Sequence, residues 1–239
     1  MKFKAGLMYR TIRQSTSIGI FFIWWFVFGV ILPLLGTFLA SGDVHINTDG
    51  LISVMIFSLI SAFMGVRTDF KYFIQMGVSR LNIFFINVGS ILLVSLGLSI
   101  ITFLASKIST SQFSINLPLL DKDIYNTHGF MSILLIFMLI FFMGSLGLTF
   151  GTFNVMFQGV KKIVAMLIIM TIPTCLLIWL KLGGKVAEVK ATDFFKKMVG
   201  YSNGNFSLTP MLTSLLIMSI LVIGAFYLLN SRHQLSKGS

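Results

Sequence analysis

Val66-Arg67-Thr68-Asp69-Phe70-Lys71-Tyr72-Phe73-Ile74-Gln75-Met76-Gly77-Val78-Ser79-Arg80-Leu81-Asn82-Ile83-Phe84 is a charged segment between two apolar runs, Leu51–Val66 and Ile83–Leu104, each suited to crossing a bilayer. Phe70, Phe73, Ile74 and Gly77 recur at helical spacing, while Arg67, Asp69, Lys71, Gln75 and Arg80 fall elsewhere around the turn. The pattern predicts a helix over 67–80, with Gly77 supporting a stop before the next span. A helix placed on the turn between two spans is presented to whatever shares its compartment.

Outward from this segment, the chain is apolar almost throughout. Its 239 residues are 56% hydrophobic and 10% charged, with a mean hydropathy of +0.95, where a soluble domain carries about 25% charged residues. Apolar runs at Ile18–Leu39, Leu51–Val66, Ile83–Leu104, Ile133–Phe153, Ile163–Leu180 and Leu212–Leu229 predict an all-α, polytopic membrane protein with six spans in a single domain. The second run is short for a core of about 30 Å and needs Arg67 to snorkel or the bilayer to thin.

An even number of spans puts both termini on one side, and the cations say which. With the termini inside, the inner segments hold Lys2, Lys4, Arg10, Arg13, Arg67, Lys71, Arg80, Lys161, Lys162, Arg232 and Lys237 against one acid, Asp69. The outer segments balance seven lysines with six acids, so ten of the eleven net positive charges lie inside. The five lysines of the last outer loop run against the rule, but the flanks of the first span, which normally dominates, carry four cations inside and none outside. These cations are spread over short loops beside apolar spans, as anionic headgroups favour, so membrane lipid rather than nucleic acid accounts for the basic balance.

Residues 1–16 place Phe3, Leu7, Met8 and Ile12 on one side and Lys2, Lys4, Arg10 and Arg13 largely on the other, predicting an amphipathic helix lying in the inner interface. The run that follows is too long for the core of a secretory signal and reads as a retained span.

Catalytic chemistry finds no purchase. His45, His128 and His233 are far apart without metal-ligand spacing, Cys175 stands alone, and no Gly-x-x-x-x-Gly-Lys-Ser/Thr loop is present, Gly183-Gly184-Lys185 lacking the spacing. No catalytic residue, metal or cofactor is expected on this chain, and any nucleotide hydrolysis belongs to another. All seven acids read as loop residues, which disfavours ion-coupled transport. Ser61-x-x-x-Gly65 and Gly147-x-x-x-Gly151 set small residues one turn apart for close helix packing, and Pro173 predicts a kink in the fifth span. Trp24 and Trp25 sit inside the first span and read as packing or cavity-lining residues rather than belt anchors.

Asp69-Phe70-Lys71-Tyr72-Phe73-Ile74-Gln75-Met76-Gly77-Val78-Ser79-Arg80, leading into the apolar Leu81 to Leu92, resembles the coupling helix in the first cytoplasmic loop of ABC-2 type ABC exporter permeases. The layout agrees: an amphipathic helix before the first span, six spans, both ends inside. The resemblance implies that Phe70, Lys71, Phe73, Ile74, Gly77 and Arg80 couple the chain to cytoplasmic ABC ATPase subunits, which carry the ATP and Mg. It also implies a second permease chain, identical or homologous, and export of drugs, antimicrobial peptides or lipid-linked molecules across a bacterial cell membrane. In place of the re-entrant hairpin that the family often carries before its last span, Gly183–Pro210 is lysine-rich, and Phe194, Phe195, Met198 and Val199 predict a short amphipathic helix on the outer face. The alternatives are the substrate-binding membrane subunit of a vitamin importer, which needs a polar outer pocket that these spans do little to build, and a non-transporting sensor or immunity protein.

The charge asymmetry makes a direct prediction. In a Cys175→Ser background, single cysteines at Ser41 and Thr127 are labelled from outside intact cells and one at Gln158 is not; the reverse pattern inverts the topology.

Overall fold

The computed structural model describes residues 2–33, 35–36, 46–107, 113–116, 129–157, 183–202 and 205–232, with scattered positions from 159 to 182 that are helical from 160 onward. Helix dominates. In chain order the elements are α1 (Lys2–Phe26), a π-helical stretch (Val27–Ile31), β1 (Ile46–Asp49), α2 (Gly50–Gln75), α3 (Arg80–Ala105), β2 (Phe113–Asn116), α4 (Gly129–Met156), α5 (Gly184–Val199), β3 (Tyr201–Ser202), β4 (Asn205–Phe206) and α6 (Leu208–Arg232). β1 pairs with β2 in parallel and β3 with β4 antiparallel, so the strands are two short clips between helix ends.

Among the described residues, four helices, α2, α3, α4 and α6, are long and apolar enough to cross a membrane. The sequence reading had six spans. Of the other two, the far end of Ile18–Leu39, most of Ile163–Leu180 and Pro173 lie outside the described residues, as do all three histidines.

Two boundaries differ from the sequence reading. No break separates residues 1–16 from the first span, because α1 is continuous from Lys2 to Phe26. Thr16 Oγ1 donates to Ile12 O at 3.0 Å and Ser17 Oγ to Arg13 O at 3.2 Å, so hydroxyls that could have ended the helix are satisfied inside it. Nor is 67–80 a separate helix: α2 runs on to Gln75 and α3 begins at Arg80. The stop between them is a Schellman turn, in which Gly77, at φ 68°, donates to Ile74 O at 2.9 Å while Val78 donates to Phe73 O at 2.9 Å. Ser79 then caps α3 by accepting from Asn82 N.

α1 lies antiparallel to α2. Phe21 stacks on Phe57 at 4.2 Å, Arg10 meets Asp69, and Tyr9 stacks on Tyr72 at 4.9 Å. The most extensive seam joins α2 to α4, which run parallel, and glycine makes it. A Cβ at Gly147 would lie 2.3 Å from Leu59 O, and one at Gly151 would lie 2.7 Å from Phe63 O. Ser58 Oγ crosses the same seam to Ile140 O at 3.2 Å, above a core of Leu51, Val54, Leu98, Leu135, Ile136, Leu139 and Ile140. Ser61 is only partly buried; Ala62 is the buried small residue opposite Gly147. α6 packs on α4, where Thr149 Oγ1 donates to Val222 O at 3.2 Å, and on α3 through the Phe84–Phe226 stack, but most of its surface faces outward. Trp24 is also exposed and stacks on Phe28.

The helix expected within 183–210 is α5, closed by Gly200 at φ 83°, where any Cβ would lie 2.0 Å from Ser207 O. Phe194 and Phe195 are both exposed on it.

The seam predicts a contrast between glycines. Gly147→Leu forces α2 and α4 apart and lowers stability by about 3 kcal/mol or more, whereas Gly224→Ala, with nothing within 4 Å, leaves the thermal unfolding midpoint in detergent unchanged or slightly raised.

Candidate functional site

Among the described residues, the buried charges, Arg10 and Asp69, lie at the Gly77 end of the bundle. Asp69 stands among Ala62, Val66, Phe70 and Phe73 on the face of α2 that packs inward, and it is 2% exposed. Read from the sequence as a loop acid, it is instead a buried carboxylate within a membrane-competent helix. That removes one ground on which ion-coupled transport was disfavoured.

Each carboxylate oxygen takes a guanidinium from α1. Arg10 Nη1 lies 3.0 Å from Asp69 Oδ2, and Arg13 Nη1 lies 2.6 Å from Asp69 Oδ1. Arg10 is fully buried and also donates through Nη1 to Asn87 Oδ1 of α3, whereas the Arg13 side chain is 45% exposed. One guanidinium, that of Arg10, therefore ties together α1, α2 and α3. Gly65 makes the space: a Cβ there would lie 3.3 Å from Asp69 Oδ2 and 3.5 Å from Arg10 Nη2. The tighter of these contacts is with the carboxylate, and the neighbour across the gap is α1 rather than α4.

The polar zone extends along α1. Arg10 Nε and Nη2, Thr11 Oγ1 and Gln14 Oε1 are buried without a hydrogen-bond partner among the described residues. The ion pairs and the Arg10–Asn87 bond of this zone join α1 to α2 and α3.

Around the clamp, the segment singled out in the sequence divides into two faces. Phe70 and Phe73 are 5% and 1% exposed and pack with Val78, Ile83, Ile86, Leu7 and the partly buried Ile74. They face the chain's own interior. The outward face is Thr68, Lys71, Tyr72, Gln75 and Met76. Beside it a cavity of about 280 Å³ opens between α1 and α2, walled by Ala5, Gly6, Tyr9, Tyr72, Phe73 and Met76. Gly6 sets the depth of contact beneath it, since a Cβ there would lie 2.7 Å from Ile86 Cδ1. Arg80 is exposed and reaches Ser231 O of α6 at 3.3 Å, while Asn230 Nδ2 donates to Arg80 O at 3.0 Å. The start of α3 is thus pinned to the end of α6. Gly77 is the stop itself.

Arg10, Arg13 and Asn87 were not among the sequence candidates, and Asp69 appeared only as a charge. The available signal was the placement of Asp69 within an apolar stripe, Ala62, Val66, Phe70 and Phe73, at helical spacing. Comparison with family models, curated proteins and solved structures gives no match.

Breaking the clamp from one side costs more than removing it. Asp69→Asn leaves a buried guanidinium unneutralised and lowers stability by about 3 kcal/mol. Arg10→Met combined with Asp69→Leu stays near the wild type, and Arg13→Gln costs about 1 kcal/mol or less. Thermal unfolding of the detergent-solubilised variants orders the three.

Proposed function

We propose that this chain is the permease subunit of an ABC-2 type ATP-driven exporter. It spans a bacterial cell membrane with both termini in the cytoplasm, pairs with a second permease chain, and moves a hydrophobic or amphipathic cargo outward by alternating access. ATP and Mg are handled by separate cytoplasmic ABC ATPase subunits. The reading rests on the resemblance of residues 69–80 to a coupling helix.

The observation that carries it is the way α2 ends. The helix continues past its apolar run, Leu51–Val66, stops at a glycine turn, and turns Lys71, Tyr72, Gln75 and Met76 outward while Asp69 holds it to Arg10 of α1, which in turn donates to Asn87 of α3. A load applied to Tyr72 or Met76 is therefore delivered to three helices at once. The cavity between Tyr9 and Tyr72 suits an apolar side chain of the ATPase, with exposed Lys4 and Lys71 beside it. The apolar outward surfaces of α1 and α6 are available to lipid and to the second permease chain.

The test uses an ATPase encoded beside this chain, whose presence itself supports the exporter. Tyr72→Ala with Met76→Ala removes exposed anchors worth on the order of 2 kcal/mol at an interface hot spot. The variant inserts and melts like the wild type, but loses the coexpressed ATPase on purification and loses transport. Phe73→Ala with Ile74→Ala instead lowers thermal stability, because truncating a buried Phe costs about 3 kcal/mol. Copurification of the Tyr72/Met76 variant at wild-type stoichiometry, with transport intact, overturns the coupling role of this surface.

A further inference from the structure

A second cleft lies on the other side of α2, against α4. It encloses about 470 Å³, and its walls are apolar, Ile60 and Phe63 from α2 and Phe150 and Phe153 from α4, except for Asn154 and Lys162. Because α2 and α4 run parallel, Ile60 and Phe150 lie at one end of it, and Asn154, one turn beyond Phe150, lies toward the Met156 end. Past that end the chain turns at Gly159, φ 57°, where Lys162 N donates to Gly159 O at 3.1 Å, and the Lys162 side chain returns over the cleft, half-buried. Among the described residues Lys162 has no carboxylate partner.

The cleft therefore grades from aromatic and aliphatic to a carboxamide and an uncompensated ammonium, along the direction in which α2 proceeds to Asp69. That is the polarity profile of one leaflet of a bilayer, from acyl chain to phosphate.

We propose that this cleft is a site for an anionic phospholipid. The upper acyl chain lies against Ile60, Phe63 and Phe150, and the phosphate accepts from Lys162 Nζ and Asn154 Nδ2. Lys162, without a carboxylate partner among the described residues, selects a net negative headgroup over a zwitterionic one, whose own ammonium is repelled. The site is independent of any ATPase partner.

Native mass spectrometry of the full chain, released from micelles holding equal phosphatidylglycerol and phosphatidylcholine with matched acyl chains, tests it. The wild type retains one phosphatidylglycerol in preference to phosphatidylcholine. Lys162→Ala lowers that retention about fivefold, Lys162→Arg preserves it, and Ile60→Trp, which fills the cleft, abolishes it. Lys196→Ala, removing an exposed lysine of α5, changes nothing. Equal retention of the two lipids by the wild type, or undiminished phosphatidylglycerol on Lys162→Ala, overturns the proposal.

Discussion

A guanidinium with no exposure to solvent has to be neutralised inside the protein, and the Arg10 side chain sets that requirement for the whole Gly77 end of the bundle. Asp69 answers it, and the geometry around the pair follows. α2 carries on past its apolar run far enough to bring the carboxylate to Arg10. Gly65 leaves the Asp69 carboxylate uncrowded, and Asn87 brings α3 into contact with the same guanidinium. Ionic clusters of this kind contribute little net stability compared with apolar replacements; their value lies in register. If α1 slid one turn along α2, one arginine would take the other's place at the carboxylate, the second would lose it, and Arg10 would part from Asn87, so the observed alignment of three helices is preferred.

The opposite face of α2 is fixed by other means. Gly147 and Gly151 bring α4 against the α2 backbone by close contact, a device that uses no charge and tolerates almost no added volume. One helix thus serves as the spine of the molecule, locked to α1 electrostatically, to α3 through Arg10 of α1, and to α4 sterically. The four-residue connection Met76–Ser79, with the Schellman turn on one side and the Ser79 cap on the other, leaves little slack between α2 and α3. Motion of the α2 tip is consequently motion of the bundle. α6, little of whose span is buried, and α1 both keep apolar residues turned outward.

Much of the architecture was legible in the sequence because it rests on local signals. Long apolar runs name α2, α3, α4 and α6, Gly77 marks a turn, and the Phe194 stripe marks α5. Continuity was harder to see. Ser15, Thr16 and Ser17 look like a helix boundary, yet Thr16 and Ser17 bond back one turn and the helix goes through. The charge count that orients the chain also concealed its centre, since it treats Asp69, Arg10 and Arg13 as loop charges. Arg13 and Asp69 are 56 positions apart and Arg10 and Asn87 are 77 apart, and no periodicity within one helix reports such a pairing. The same long-range packing turns Phe70 and Phe73 inward, although their spacing alone suits either face of the helix.

The separation of Arg13 from Asp69 also has a temporal meaning. At roughly 5–20 residues per second, several seconds of synthesis separate the emergence of α1 from that of its carboxylate, and longer still from Asn87. Throughout that interval the two arginines have no internal counterion, so the start of α1 waits in water or among headgroups while α2 is made. Closure of this end is therefore a late event in biogenesis, reached only when three helices are present together. A chain truncated before Asp69 has no means of burying its own first helix.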